Sequence, residues 1–192
     1  MGAVIKKIAR SLYVQKKEAV ENVPASFFDI EVNDINRQPV KLEKYRGKKK
    51  AFLIVNIATG CQLTNQNFKE LNHLYTSFRD KGLEILCFPT NDFYNREVRC
   101  NADIELYLKQ HFEPDFPVFE KTCCNGPNPS PVYRYLRSNC EEFKVVTKDK
   151  IEYKTIPLTF AKFLLDGQGK VVGYFEPVVY PKKIIPDIEK LL

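Results

Sequence analysis

The chain has 192 residues, 44% hydrophobic and 28% charged, an ordinary globular composition that excludes intrinsic disorder and favours one domain with a substantial core. Thirty Lys and Arg against 24 Asp and Glu leave +6, spread too evenly for the clustered basic face that nucleic-acid binding needs. No apolar run approaches the roughly 18 residues of a spanning helix. Six cysteines without a secretory signal read as thiols of a reducing compartment, intracellular and most simply cytoplasmic.

In chain order, the first 17 residues, MGAVIKKIARSLYVQKK, hold five Lys or Arg and no acid. Val4, Ile5, Ile8 and Leu12 recur at helical spacing with Lys6, Lys7 and Arg10 largely off that stripe, which predicts a basic amphipathic helix. A mitochondrial presequence, a helix for a membrane surface or protein partner, and an extension docked on the domain all fit. Lys6 stands where myristoylation of Gly2 wants Ser or Thr, so that modification is excluded. The reading divides the chain into an extension over 1–23 and a domain over 24–192, with residues 1–17 serving attachment and adding little stability.

FFDIEVNDINRQPVKL predicts two short strands around an Asn-Asp-Ile-Asn turn. Lys48-Lys49-Lys50 reads as a solvated turn before AFLIVNI, a short branched run that suits a buried central strand. Phe68, Leu71, Leu74, Tyr75 and Phe78 predict an amphipathic helix over roughly 64–80. LEILCF is a second buried strand, Ile104 to Phe112 another helix, and FPVF another strand. Ser130-Pro131 opens a helix. FAKFLLD and KVVGYF form a hairpin around Asp166-Gly167-Gln168-Gly169, and IIPDIEKLL closes with a helix. Strands alternating with helices, after an N-terminal β-hairpin, indicate an α/β domain of thioredoxin-like type, a central mixed sheet flanked by helices.

Cys61 lies between a buried strand and a helix. The N–H groups and dipole of a helix N-terminus favour negative charge, so a thiol there ionises more easily, and the thiolate is the nucleophile. A small buried structural thiol is the other reading. NIATGCQLTNQNFKEL resembles the peroxidatic-cysteine motif of the glutathione peroxidase family, a strand ending Asn-Val-Ala-Ser, then Cys or selenocysteine, then a Thr-starting helix. GLEILCFPTNDF is similar to the family's Phe-Pro-Cys-Asn-Gln-Phe block. DFPVFEK, Asn125-Gly126, PVYRYLR and LTFAKFLLDGQGKVVGYFEP follow in the family's order, so the resemblance spans about 24–192.

The resemblance implies that the Cys61 thiolate attacks H2O2 or an organic or lipid hydroperoxide and that glutathione or thioredoxin reduces the product, with no metal, haem or flavin. It also maps the family's Gln, Trp and Asn onto Asp92, Leu158 and Thr159. Leu158 has no indole N–H to give; Thr159 keeps a donor. A carboxylate 4–5 Å from the sulfur opposes thiolate formation by roughly 3–4 kcal/mol at an effective dielectric near 20, more than the roughly 0.3–1 kcal/mol of helix-dipole help. Asp92 pointing at Cys61 therefore predicts a sluggish thiol that Asp92→Gln sharpens; Asp92 turned away, paired with Arg96 or protonated does not. These substitutions equally suit a non-catalytic thioredoxin-fold scaffold or binding protein held by its basic N-terminal helix.

The family's resolving cysteine maps onto Lys109 and its Phe-Pro-Cys cysteine onto Thr90, which leaves Cys100 as a candidate resolving residue. Cys87 reads as structural and Cys140 as part of a surface stretch over 137–155. Cys123 and Cys124 lack a second ligand pair for zinc. His73 and His111 fall on helices as structural or solvated residues.

Overall fold

The computed structural model describes residues 16–192, so the stripe Val4, Ile5, Ile8 and Leu12 lies outside the described residues. Lys17–Glu18 forms a short strand, β1. Ser26 then caps a turn of 3-10 helix by accepting a hydrogen bond from Phe28 N. The hairpin of β2 (Glu31–Asn33) and β3 (Pro39–Lys41) follows, with Val32 opposite Val40. One Asp34 carboxylate oxygen accepts from the Asn36 and Gln38 N–H groups and closes its turn, the local bonding that makes Asp a turn residue.

β4 (Ala51–Ile57) is buried at every position. Phe52 and Ile54 join Phe27, Phe28 and Leu42 in an apolar layer on one face. Leu53 and Val55 join Phe68 and Leu71 in a layer on the other. A strand with no polar face needs both covers. α1 (Thr64–Phe78) supplies one of them. Past Phe78 the helix tightens to 3-10 geometry and stops at Gly82, where φ is 117°, a left-handed cap suited to glycine. β5 (Leu83–Pro89) then runs parallel to β4, with Ile85 beside Leu53.

α2 (Asn101–His111) and α3 (Pro131–Ser138) have the predicted places, and Pro131 sits in the first turn of α3. FPVF does not form the predicted strand. Only Val118, beside Cys87, and Phe119, opposite Asp34, make isolated bridges; Pro117 has no N–H with which to extend a ladder. His73 and His111 are exposed, and His111 lies 4.3 Å from the Tyr107 ring centre. Lys48–Lys50 is not simply a solvated turn, because Lys49 ion-pairs with the buried Glu84 at 3.1 Å.

Two expectations about the periphery are corrected. Cys140 is buried in the same apolar layer as Phe143, although most of 137–155 does lie at the surface, as a hairpin of β6 (Lys144–Val146) and β7 (Ile151–Lys154) whose residues are exposed or half-buried. Lys16, Lys17 and Glu18, assigned to the extension, belong to the domain. β1 adds to β7, Lys16 O accepts from Thr155 N, and Glu18 meets the fully buried Arg137 at 3.0 Å.

β8 (Lys162–Asp166) and β9 (Val171–Phe175) form the predicted hairpin. β8 pairs antiparallel with the free side of β4, so the sheet order is β5-β4-β8-β9. α4 (Ile185–Glu189) is the closing helix, with Ile188 packed into the layer that contains Leu53.

Candidate active site around Cys61

After Ile57 the chain turns through Ala58, Thr59, Gly60 and Cys61 before α1 starts. Thr64 organises the turn. Its Oγ1 lies 2.7 Å from both the Ala58 and Cys61 carbonyls, and its N–H donates to Cys61 O. Cys61 is half-buried there.

The 91–99 loop is fastened to this turn. Glu97, with no exposed surface, accepts from Thr59 N at 2.5 Å and from Thr59 Oγ1 at 2.9 Å. Arg99 Nη1 donates to Thr59 Oγ1, and Gly60 N donates to Arg96 O at 3.0 Å. A Cβ on residue 60 would stand 2.7 Å from that same carbonyl oxygen, so glycine permits the approach.

Another side of the site comes from the turn that leads into β8. Thr159, buried, donates from Oγ1 to Cys61 Sγ at 3.2 Å. Asn56 of β4 grips the residues on either side of it. Its side-chain Nδ2 donates to Leu158 O at 3.0 Å, and its main-chain carbonyl accepts from Phe160 N at 2.7 Å. A hydroxyl donating to the sulfur stabilises the thiolate over the thiol. Cys61 and Thr159 are thus brought together. Leu158 is half-buried against the Phe52 layer and offers the sulfur no polar hydrogen.

Asp92 takes the turned-away alternative. Its Oδ2 accepts from Cys124 N at 2.6 Å and Asn125 N at 3.0 Å; among the described residues no hydrogen bond joins it to Cys61. Its charge bears on the neighbouring thiols instead. Burial, then Asp92, pushes the thiols of Cys123 and Cys124 above the ordinary range. Burial alone does so for Cys87 and is the main cause for Cys140. These four thiols are held protonated at neutral pH and are poor nucleophiles.

Cys100 is exposed at the N-cap of α2, one residue beyond Arg99, and its thiol donates to the Asp103 carboxylate at 3.2 Å. Lys109 pairs with Glu105 on the surface of α2, and Thr90 is buried beside Asp92 N. Sequence reasoning passed over Asn56, Glu97 and Lys162. A polar residue inside AFLIVNI and a lysine inside FAKFLLD are visible anomalies; NREVR carries no such signal.

The sheet order and the cysteine on the turn after its central strand define a thioredoxin-like fold with a thiol site. A thioredoxin-family thiol:disulfide interchange protein from Chlorobium tepidum superposes with a TM-score of 0.59 at 15% identity, covering 88% of this chain and 95% of that one, a likeness of fold. The crystal structure of T. cruzi GPX1 superposes with a TM-score of 0.66 at 25% identity over 86% of this chain and 95% of its own. The glutathione peroxidase family model matches residues 27–137. A chloroplastic phospholipid hydroperoxide glutathione peroxidase of Arabidopsis thaliana is 39% identical over 184 residues, 96% of this chain and 72% of that protein. A probable phospholipid hydroperoxide glutathione peroxidase of Mesembryanthemum crystallinum is 42% identical over 169 residues, 88% of this chain and 94% of its own. The chain belongs to the glutathione peroxidase family. Among its described residues no helix is long and apolar enough to cross a membrane.

Proposed function

We propose that the protein is an intracellular thiol peroxidase that reduces H2O2 or organic hydroperoxides, lipid hydroperoxides included, through Cys61. The observation that carries this reading is the Thr159 hydroxyl donating to Cys61 Sγ at 3.2 Å on the turn between the central strand and α1. The Cys61 thiolate attacks the terminal peroxide oxygen and the O–O bond breaks. Sulfur is oxidised to sulfenic acid, and the other oxygen leaves as water or alcohol after taking a proton. A thiol then forms a mixed disulfide with loss of water, and a second thiol releases Cys61 and carries the oxidation away as a disulfide. Glutathione and thioredoxin, the family's reductants, are the co-substrates of this scheme, and no metal, haem or flavin takes part. Where the second thiol is internal, Cys100 is the residue proposed, since it follows the loop fastened to Thr59 and Gly60.

Stopped-flow mixing of the full chain with H2O2, with Cys61→Ser as control, tests the reading. Peroxide consumption that disappears with Cys61 supports it. Consumption that is equally slow in both proteins overturns it, and favours the scaffold reading that Leu158 and the turned-away Asp92 support.

A further inference from the structure

Lys162 is the odd residue of its strand. It sits in the middle of the sheet, opposite Val55 of β4 and Phe175 of β9, and has no exposed surface. Phe163, Leu164 and Leu165 after it are apolar and buried, as a central strand requires. An amine here is desolvated at a cost that a methionine would avoid. Burial brings its pKa from 10.5 down to about 7, against the upward pull of the Glu70 carboxylate on α1.

Its two acceptors show where that amine is used. Nζ donates to Phe160 O at 2.7 Å and to Pro177 O at 3.3 Å. Phe160 has φ of 64°, a left-handed conformation rare for a residue with a bulky side chain. It follows Thr159 directly, and its N–H is already committed to Asn56 O. The turn is therefore pinned from two strands, at Leu158 O and Phe160 N by Asn56 and at Phe160 O by Lys162. A neutral amine still has two N–H groups for these two carbonyls, so the clamp persists when the proton is lost.

We propose that Lys162 is a positioning residue, whose amine locks the left-handed turn at Phe160 and so keeps the Thr159 hydroxyl aimed at Cys61 Sγ. The inference rests on reading Cys61 as the reacting sulfur. Without the amine, Phe160 O is a buried acceptor with no donor, and the turn relaxes to re-pair it. Thr159, one residue away, moves with it.

The test is a thermodynamic cycle on the full chain, with Lys162→Met, Thr159→Val and the double variant. The readout is the pH midpoint of Cys61 alkylation by iodoacetamide, followed on the Cys61 peptide by mass spectrometry. Thr159→Val is expected to raise the midpoint by about half a unit to one unit, the worth of one neutral hydrogen bond. Lys162→Met is expected to raise it comparably, with no further rise in the double variant, and Lys162→Arg to restore part of the loss. A Lys162→Met shift of equal size with and without the Thr159→Val substitution would overturn the proposal, because it would report the lysine charge acting directly on the sulfur. A folded Lys162→Met protein with an unshifted midpoint would overturn it as well. Should Lys162→Met not fold, Lys162→Gln, which keeps N–H donors on a shorter arm, takes its place under the same criteria. Alkylation needs no peroxide turnover, so a coupled Lys162–Thr159 pair in a protein that consumes no peroxide would refute the proposed function and leave this inference standing.

Discussion

Asp92 and Thr159 occupy equivalent places in the sequence argument and different ones in the molecule. Thr159 faces the sulfur. Asp92 instead serves the Cys124 and Asn125 N–H groups as an acceptor. The difference follows from what each group needs. A carboxylate gains two charge-assisted bonds from the 124–125 turn, whereas beside a thiolate it meets only repulsion. Its charge is felt at Cys123, so Asp92→Asn, which keeps an acceptor and removes the charge, is expected to lower the Cys123 thiol pKa. Alkylation mapped residue by residue at pH 8 should rise several-fold at Cys123, with a smaller change at Cys61. A larger gain at Cys61 would mean that the carboxylate acts on the reactive sulfur after all. Cys61 and Thr159 were legible because a strand–Cys–helix pattern and a family block carry them. The orientation of Asp92 was not, because residue type says what a carboxylate can bond to and says nothing of which donors surround it. Asn56 and Lys162 were visible only as polar residues out of pattern, with partners supplied by a turn that local periodicity cannot place.

At the scale of elements, period and composition predicted β4, α1, β5 and the β8–β9 hairpin because each carries its own apolar signature. β1 has none. Lys17 and Glu18 pair with β7 through backbone bonds, and Glu18 reaches Arg137, whose guanidinium also donates to the Lys154, Cys124 and Tyr153 carbonyls. An arginine inside PVYRYLR looks like a solvated helix residue until β1 and β7 close over it. Removing Glu18, its one carboxylate partner among the described residues, leaves a buried cation facing carbonyl dipoles. Such breaks cost roughly 3–5 kcal/mol when both partners are fully buried; with Glu18 a quarter exposed, about 1–3 kcal/mol is expected for Glu18→Ala. For a domain of this size that lowers the unfolding midpoint by roughly 2–10 °C, read by a thermal melt. Deleting residues 1–15 is expected to spare the midpoint and deleting 1–18 to lower it. Equal midpoints for the two truncations would show that β1 contributes nothing to the fold.

The molecule as a whole places its chemistry beyond the carboxyl end of β4, the end at which open α/β sheets present their sites, and buries one titratable amine beneath it. That amine couples site architecture to global stability. Lys162 has a folded pKa of about 7 against 10.5 for the unconstrained side chain. Between those values the unfolded chain holds a proton that the folded chain has released, so the unfolded state binds more protons and stability rises with pH. The slope from this group is about 1.4 kcal/mol per pH unit. Below about pH 7 both states are protonated and the full penalty of the buried ammonium applies; above about pH 10.5 it has been relieved. Lys162→Met removes this dependence. Burial also raises the titrations of Tyr45 and Tyr75, but they are common to both proteins and cancel in the difference. Urea unfolding of the two proteins at pH 6.5, 7.5, 8.5 and 9.5 should therefore show the stability of Lys162→Met relative to the parent falling by about 1.4 kcal/mol per unit above pH 7. The intercept also includes the donor lost at Phe160 O, so the slope is the quantity that decides. A difference that stays flat from pH 6.5 to 9.5 would mean that Lys162 keeps its proton in the folded state and that the buried amine is better solvated than its two carbonyl partners indicate.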